Sequence, residues 1–156
     1  SKIGSGAKLE QVDISETVKN VITYLRPRIS DQVSVSMDTS EEILVLHNPP
    51  LIEWVVENIS KNAVDAMEGK GELAIHVHRT NDWVYIDIKD TGKGIPPNQF
   101  KTIFQPGFST KTRGWGLGLS LVKRIVKEYH KGTVLVLESH IDVGTTFRIS
   151  LPLNVL

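Results

Sequence analysis

Residues 57–67, ENISKNAVDAM, carry Asn58, Asn62 and Asp65 inside a run whose apolar residues keep helical spacing. At about 100° per residue, Leu51, Val55, Ile59, Ala63 and Ala66 form one apolar stripe. Asn58, Asn62 and Asp65 gather along one border of it. A lone asparagine there would simply satisfy backbone groups. Three oxygen-bearing side chains on one border suit a hard cation such as Mg²⁺, which takes oxygen ligands and keeps waters and substrate phosphates in its shell. The border therefore reads as the metal-and-phosphate edge of a pocket.

Two glycine clusters, DTGKGIP (90–96) and GWGLGLS (114–120), supply a second kind of chemistry. Glycine lets backbone approach a ligand closely. The second cluster runs into a helical pattern, whose N-terminal N–H groups and dipole favour phosphate. A dinucleotide fingerprint is excluded because GWGLG is GxGxG with no preceding strand, and no GxxxxGK[ST] occurs. Alone, each cluster reads more readily as an ordinary loop. Asp90 alters that balance, because it ends an alternating strand immediately before a turn, where a carboxylate facing inward needs donors. A purine amine is one candidate; a nearby backbone N–H, as in an Asx-turn, is the other.

These residues need elements to hold them. Asp13 and Glu16 have capping-box spacing, and Ile14, Val18, Val21, Ile22 and Leu25 then follow helical spacing as far as Pro27. VSVSM (33–37) and ILVLH (43–47) read as strands, and Pro49-Pro50 opens a second helix lasting to about Met67. ELAIHVHR (72–79) and WVYIDIKD (83–90) form a hairpin around Asn81-Asp82. Residues 96–113 are irregular, a short amphipathic piece, NQFKTIF, before the polar and basic QPGFSTKTRG, and loops of that length are usually lids or disordered. Leu117, Leu121, Val122, Ile125, Val126 and Tyr129 mark a third helix, and TVLVLES with GTTFRISLP closes the chain as a strand pair. The pattern predicts an α+β fold, a two-layer sandwich with three helices over one face of a mixed, mostly antiparallel sheet.

Composition sets the outer limits. The chain has 156 residues, suited to one domain, with 40% apolar and 23% charged residues. Zero formal net charge gives no global field for nucleic acid or anionic membranes. The absence of cysteine removes disulfides, thiolate zinc sites and a cysteine nucleophile. Apolar runs are too short to span a bilayer and no signal-peptide pattern opens the chain. Residues 1–9 read as a linker or cloning remnant before one domain over 10–156.

ENISKNAVDAM, DTGKGIP, IFQPGFSTK and GWGLGLS resemble, in order and spacing, the N, G1, F and G2 boxes of the histidine-kinase catalytic domain. That domain belongs to the superfamily of gyrase, Hsp90, histidine kinases and MutL. The likeness covers roughly residues 10–153, and the variants look closest to nitrogen-sensor-like kinases. It implies a Bergerat-type fold with a flexible ATP lid, and ATP and Mg²⁺ as cofactors. Asn62 matches the Mg²⁺-coordinating asparagine, and Asn58 a second polar position near the phosphates. Asp90 matches the aspartate that accepts from the adenine amine. By the same resemblance Gly92 and Gly94, with Ile95, are expected to shape the adenine pocket, and Thr145 or Thr146 to lie near the adenine through a water. Gly116 and Gly118, with Leu117, match the second glycine box beside the phosphates. Phe104 and Phe108 match lid-packing aromatics, a position ordinary core would explain equally.

Several positions depart from the family pattern. Asp65 stands where a lysine is common, Ala66 where an aromatic often follows, and Trp115 where a small or hydroxyl residue is usual. Phosphate charge then falls to Lys111 and Arg113, with Lys61 a weaker candidate; as alternatives these are solvated basic residues. Hydrolases of the superfamily carry a glutamate where this chain has Asn58, and an amide is no general base, so phosphotransfer is expected rather than efficient hydrolysis. Asn58, Asn62 and Lys111 are the expected catalytic residues. None of the five histidines, His47, His76, His78, His130 and His140, has phosphoacceptor context. His76 and His78 alternate on one strand face, more simply a polar sheet surface than a metal site. The expected partners are a phosphoacceptor histidine domain in a longer, homodimeric parent and, indirectly, a response regulator. The isolated fragment is expected to be monomeric and cytoplasmic, whether or not the parent is membrane-anchored. The competing possibility is a degenerate ATP-sensing interaction module without phosphotransfer.

Overall fold

The computed structural model describes residues 7–39, 41–108 and 118–153. Strand β1 (Glu10–Asp13) leads directly into helix α1 (Ile14–Leu25). Asp13 caps the helix by accepting the Ser15 N–H (3.0 Å), and the same Oδ1 accepts the Ile43 N–H (3.0 Å), so one carboxylate fixes two segments. Glu16 lies in the first turn, where its charge complements the helix dipole. Strands β2 (Val33–Thr39) and β3 (Leu44–His47) follow, then helix α2 (Pro49–Ala66). Asn48 caps α2 by accepting the Leu51 N–H (3.0 Å), and its Nδ2 donates to the Lys8 carbonyl (3.0 Å).

The hairpin β4 (Gly71–Arg79) and β5 (Trp83–Asp90) comes next, followed by two short 3₁₀ turns at Pro97–Gln99 and Thr102–Phe104. Helix α3 (Gly118–Arg124) continues as a π-helical turn (Ile125–Tyr129), and β6 (Thr133–His140) pairs with β7 (Gly144–Pro152). The main sheet has the order β2-β4-β5-β7-β6; β2 is parallel to β4 and the other pairs are antiparallel. The predicted two-layer α+β sandwich is therefore observed. Inward residues of the central strands, Ile75, Ile86, Ile88 and Ile149 among them, are fully buried with Ile52 and Ile59 of α2. Each such side chain contributes about 1.5–3 kcal/mol of hydrophobic stabilisation.

Three sequence expectations change in the structure. The segment 43–47 does not join the main sheet; β3 pairs with β1 in a separate antiparallel ribbon. The buried face of α2 is turned toward Ile52, Val55, Val56, Ile59, Ser60 and Ala63, leaving Leu51 and Ala66 half-buried. The third helix is not uniform either. Its last turn widens, so the Ile125 carbonyl accepts from His130 Nδ1 (2.9 Å) while the Val126 carbonyl accepts the Gly132 N–H (2.9 Å).

Candidate functional site

β5 sends Val84, Ile86, Ile88 and Asp90 to the helix-covered face, so its alternation delivers a carboxylate at the strand end, only 3% exposed. Asp90 Oδ1 accepts the Gly92 N–H at 2.8 Å, the Asx-turn bond the sequence allowed. Burial pushes the Asp90 carboxyl above the usual aspartate range, against the backbone N–H bonds of Gly92 and Thr145 that favour the charge. An ionised carboxylate has about four lone-pair positions, so two backbone donors leave capacity for an incoming N–H.

The loop after Asp90 is fastened on both sides. The Lys93 N–H donates to the Ala66 carbonyl (3.1 Å) at the end of α2. Gly92 lies so close to that turn that a Cβ would come within 2.7 Å of the Ala66 oxygen. Gly94 has φ +81° and a Cβ there would collide with the His140 carbonyl, so side-chain-bearing residues are excluded by both conformation and space. The Ile95 N–H donates to Ser139 Oγ (2.8 Å), which shares a hydrogen bond with Thr145 Oγ1 (2.7 Å). Thr145 lies opposite Asp90 in the β5–β7 register. Asp90, Gly92, Gly94, Ile95 and Thr145 thus form one connected wall.

Asn58 and Asn62 are both half-buried on the border of α2 that leads up to this wall. At 1.5 Å per residue they lie about 12 and 6 Å along the axis from Ala66. Asn58 Nδ2 donates to the Trp54 carbonyl (2.8 Å), and a Cβ on Gly118 would sit 3.7 Å from Asn58 Oδ1. Gly118 at the start of α3 is therefore beside Asn58. Asp65 is exposed and lines a groove with Tyr24, Leu25, Arg28, Ile29, Lys61 and Val64. Lys61 pairs with Glu57 one turn earlier (2.7 Å).

Phe104 is buried and meets Phe147 of the sheet edge-to-face at 6.1 Å, and Phe108 packs against the core. Lys111, Arg113, Gly116 and Leu117, together with Trp115, lie outside the described residues. Ser139 was not anticipated from sequence. A β-bulge between Val136 and Glu138 shifts the alternation of β6, turning Ser139 inward after two successive exposed residues.

The fold agrees with that of solved histidine-kinase catalytic domains. The model of a family described as histidine kinase-, DNA gyrase B-, and HSP90-like ATPase matches residues 47–155. The chain belongs to this ATP-binding family. It is 32% identical to sporulation kinase B of Bacillus subtilis (strain 168) over 140 residues, covering 89% of this chain and 32% of that protein. It is 38% identical to sensor histidine kinase ZraS of Escherichia coli (strain K12) over 118 residues, 76% of this chain and 24% of the relative. The solved catalytic domain of histidine kinase ThkA superposes with a TM-score of 0.80 at 25% identity, covering 93% of this chain and 95% of that one. The chain spans a third or less of the length of the curated relatives it matches.

Proposed function

We propose that this chain, over residues 10–156, is the catalytic domain of a two-component sensor histidine kinase. It would bind Mg-ATP and donate the γ-phosphoryl group to a histidine on a domain outside this sequence. The observation that carries this is the buried Asp90 carboxylate, held at the head of a glycine-shaped wall whose foot is the Asn58–Asn62 border. Asp90 would accept from the adenine amine, with Gly92, Gly94, Ile95 and Thr145 enclosing the base. Asn62 would give an amide oxygen to Mg²⁺, and Asn58, beside Gly118, would meet the phosphates. Lys111 and Arg113 are assigned to the phosphate charge, with Gly116 and Leu117 completing that end.

Bound Mg²⁺ would supply charge neutralisation across the phosphate oxygens as the γ-group moves. The chain's own residues orient the nucleotide and need not take a proton, because a neutral imidazole attacks through its nitrogen lone pair. A nitrogen–phosphorus bond would form as the bond from the γ-phosphorus to the β–γ bridging oxygen breaks, its electron pair leaving on ADP, and the imidazolium so formed would release its other ring proton to solvent. Asn58 fits this division of labour, since an amide activates no water. Among the described residues no helix is long and apolar enough to cross a membrane. We assign the domain to the cytoplasm, and assign a phosphoacceptor domain in a homodimeric parent as its direct partner, with a response regulator downstream.

The test is to supply the parent's histidine-bearing hairpin in trans with γ-labelled ATP. Acid-labile label on histidine, reduced roughly a hundredfold or more by Asn62→Ala, is expected for a ligand that acts on the transferring group. Tight ATP binding without label would leave an ATP-sensing interaction module instead.

A further inference from the structure

The outer face of the sheet, opposite the helices, gathers side chains the nucleotide wall does not use. His76 and His78 stand two residues apart on β4, so both rings project from the same face, stacked at 4.2 Å between centroids and 18° between planes. Asp87 of β5 lies directly across from His76 in register, and its Oδ2 is 2.9 Å from His78 Nε2. One ligand atom from each of these residues lies within 4.8 Å of the others. Asp38 of β2 approaches from the far side, with Oδ2 3.7 Å from His76 Nε2.

From this geometry we infer that His76, His78 and Asp87 form a binding site for a borderline divalent transition metal of the Zn²⁺, Ni²⁺ or Cu²⁺ class. Two imidazoles and a carboxylate are the donor set such ions prefer, whereas Mg²⁺ favours oxygen alone. Bonds of about 2.0–2.2 Å in a tetrahedral site put ligand atoms roughly 3.3–3.6 Å apart. Reaching that spacing takes rotation of His76, whose side chain is half exposed, and opening of the His78–Asp87 pair from its present 2.9 Å.

The carboxylate is already oriented. Arg148 of β7 grips Asp87 with a two-bond fork, Nε to Oδ1 and Nη2 to Oδ2, both 2.8 Å, and its guanidinium lies over Tyr85 at 4.3 Å. Such outer partners hold a ligand in position and tune its affinity. A metal would take the place of the proton shared between His78 and Asp87, leaving the Arg148 fork intact. Asp38 or a solvent molecule completes the coordination. The site stands on four adjacent strands, so it is preorganised independently of nucleotide.

The histidine content makes the test clean, because His47 and His130 are buried and cysteine is absent. Zn²⁺ alone is titrated calorimetrically into the nucleotide-free chain and into His76→Ala, His78→Ala and His140→Ala. One equivalent is expected to bind and to raise the melting temperature. Each of the first two substitutions should weaken binding roughly tenfold or more. His140→Ala, which alters an exposed histidine near Glu138, should change nothing. Binding that survives the His76→Ala/His78→Ala double variant, or an absence of binding at about millimolar Zn²⁺, would overturn the site and leave a plain hydrogen-bonded sheet surface.

Discussion

Asp90 holds its position by two opposed effects. Burial raises its pKa while the Gly92 and Thr145 N–H groups support the anion, and burial prevails. The folded chain therefore takes up this proton more readily than the unfolded one. Asp90 subtracts from stability at neutral pH, and acidification through its raised pKa relieves that cost. Nucleotide binding should respond in the opposite direction, since the adenine amine needs the carboxylate. Adenine-nucleotide affinity is expected to fall on acidification while the pH is still above the ordinary aspartate range, with Asp90→Asn weaker throughout and flat over that interval. An affinity profile for wild type that stays level to about pH 4, the unperturbed carboxylate range, would contradict this. Asp90 was legible in sequence because strand alternation alone aims it inward. The choice between an Asx-turn and a ligand contact was not, because a carboxylate does both and the sequence shows neither donor.

At the scale of elements, His130 joins two helix ends. Its Nδ1–H donates to the Ile125 carbonyl in the π turn (2.9 Å), and its Nε2 accepts the N–H of Asn48, the cap of α2 (3.1 Å). That fixes a neutral tautomer and ties the helix carrying Asn58 and Asn62 to the end of α3. His130→Ala leaves a part-buried N–H and a buried carbonyl without this partner, so a loss of about 2–4 kcal/mol in chemical denaturation is expected. A change below about 0.5 kcal/mol, typical of plain surface substitutions, would show that water or rearrangement replaces the clamp. The helix itself was readable from its 3.6-residue spacing. The π turn was not, because that spacing is nearly unchanged by one widened turn. The β1–β3 ribbon escaped for a related reason. EQVD is four residues long, too short for alternation to register, and depends on partners 31 to 37 positions away, from Asp13 with Leu44 to Glu10 with His47. Ser139 was hidden by the bulge, which breaks the period used to read it.

For the whole molecule, two buried neutral histidines couple folding to pH. Burial lowers the pKa of both His47 and His130, outweighing the carbonyl bonds from Val45 and Ile125 that oppose it. The unfolded chain binds these protons first, so their contribution is complete above about pH 6.5 and is lost as pH falls from there through the lower folded values. Melting temperature should decline across that interval, less steeply once His47 is replaced. A flat profile between about pH 7 and pH 5 would require both rings to be solvated. Fold class was readable, because four short motifs in order constrain a whole topology far more than any one alone. The proposed phosphate end rests on Asn58 and Asn62 and on Lys111 and Arg113, which lie outside the described residues. The central claim is that Asp90 and the Asn58–Asn62 border form one Mg-ATP site. Calorimetric titration of ATP with and without Mg²⁺ into wild type, Asn62→Ala and Asp90→Asn tests it most directly. Binding of about −6 to −8 kcal/mol is expected for wild type, with Mg²⁺ dependence lost in Asn62→Ala and preference over GTP lost in Asp90→Asn. No binding by wild type at millimolar ATP, on the order of −4 kcal/mol or weaker, would contradict it.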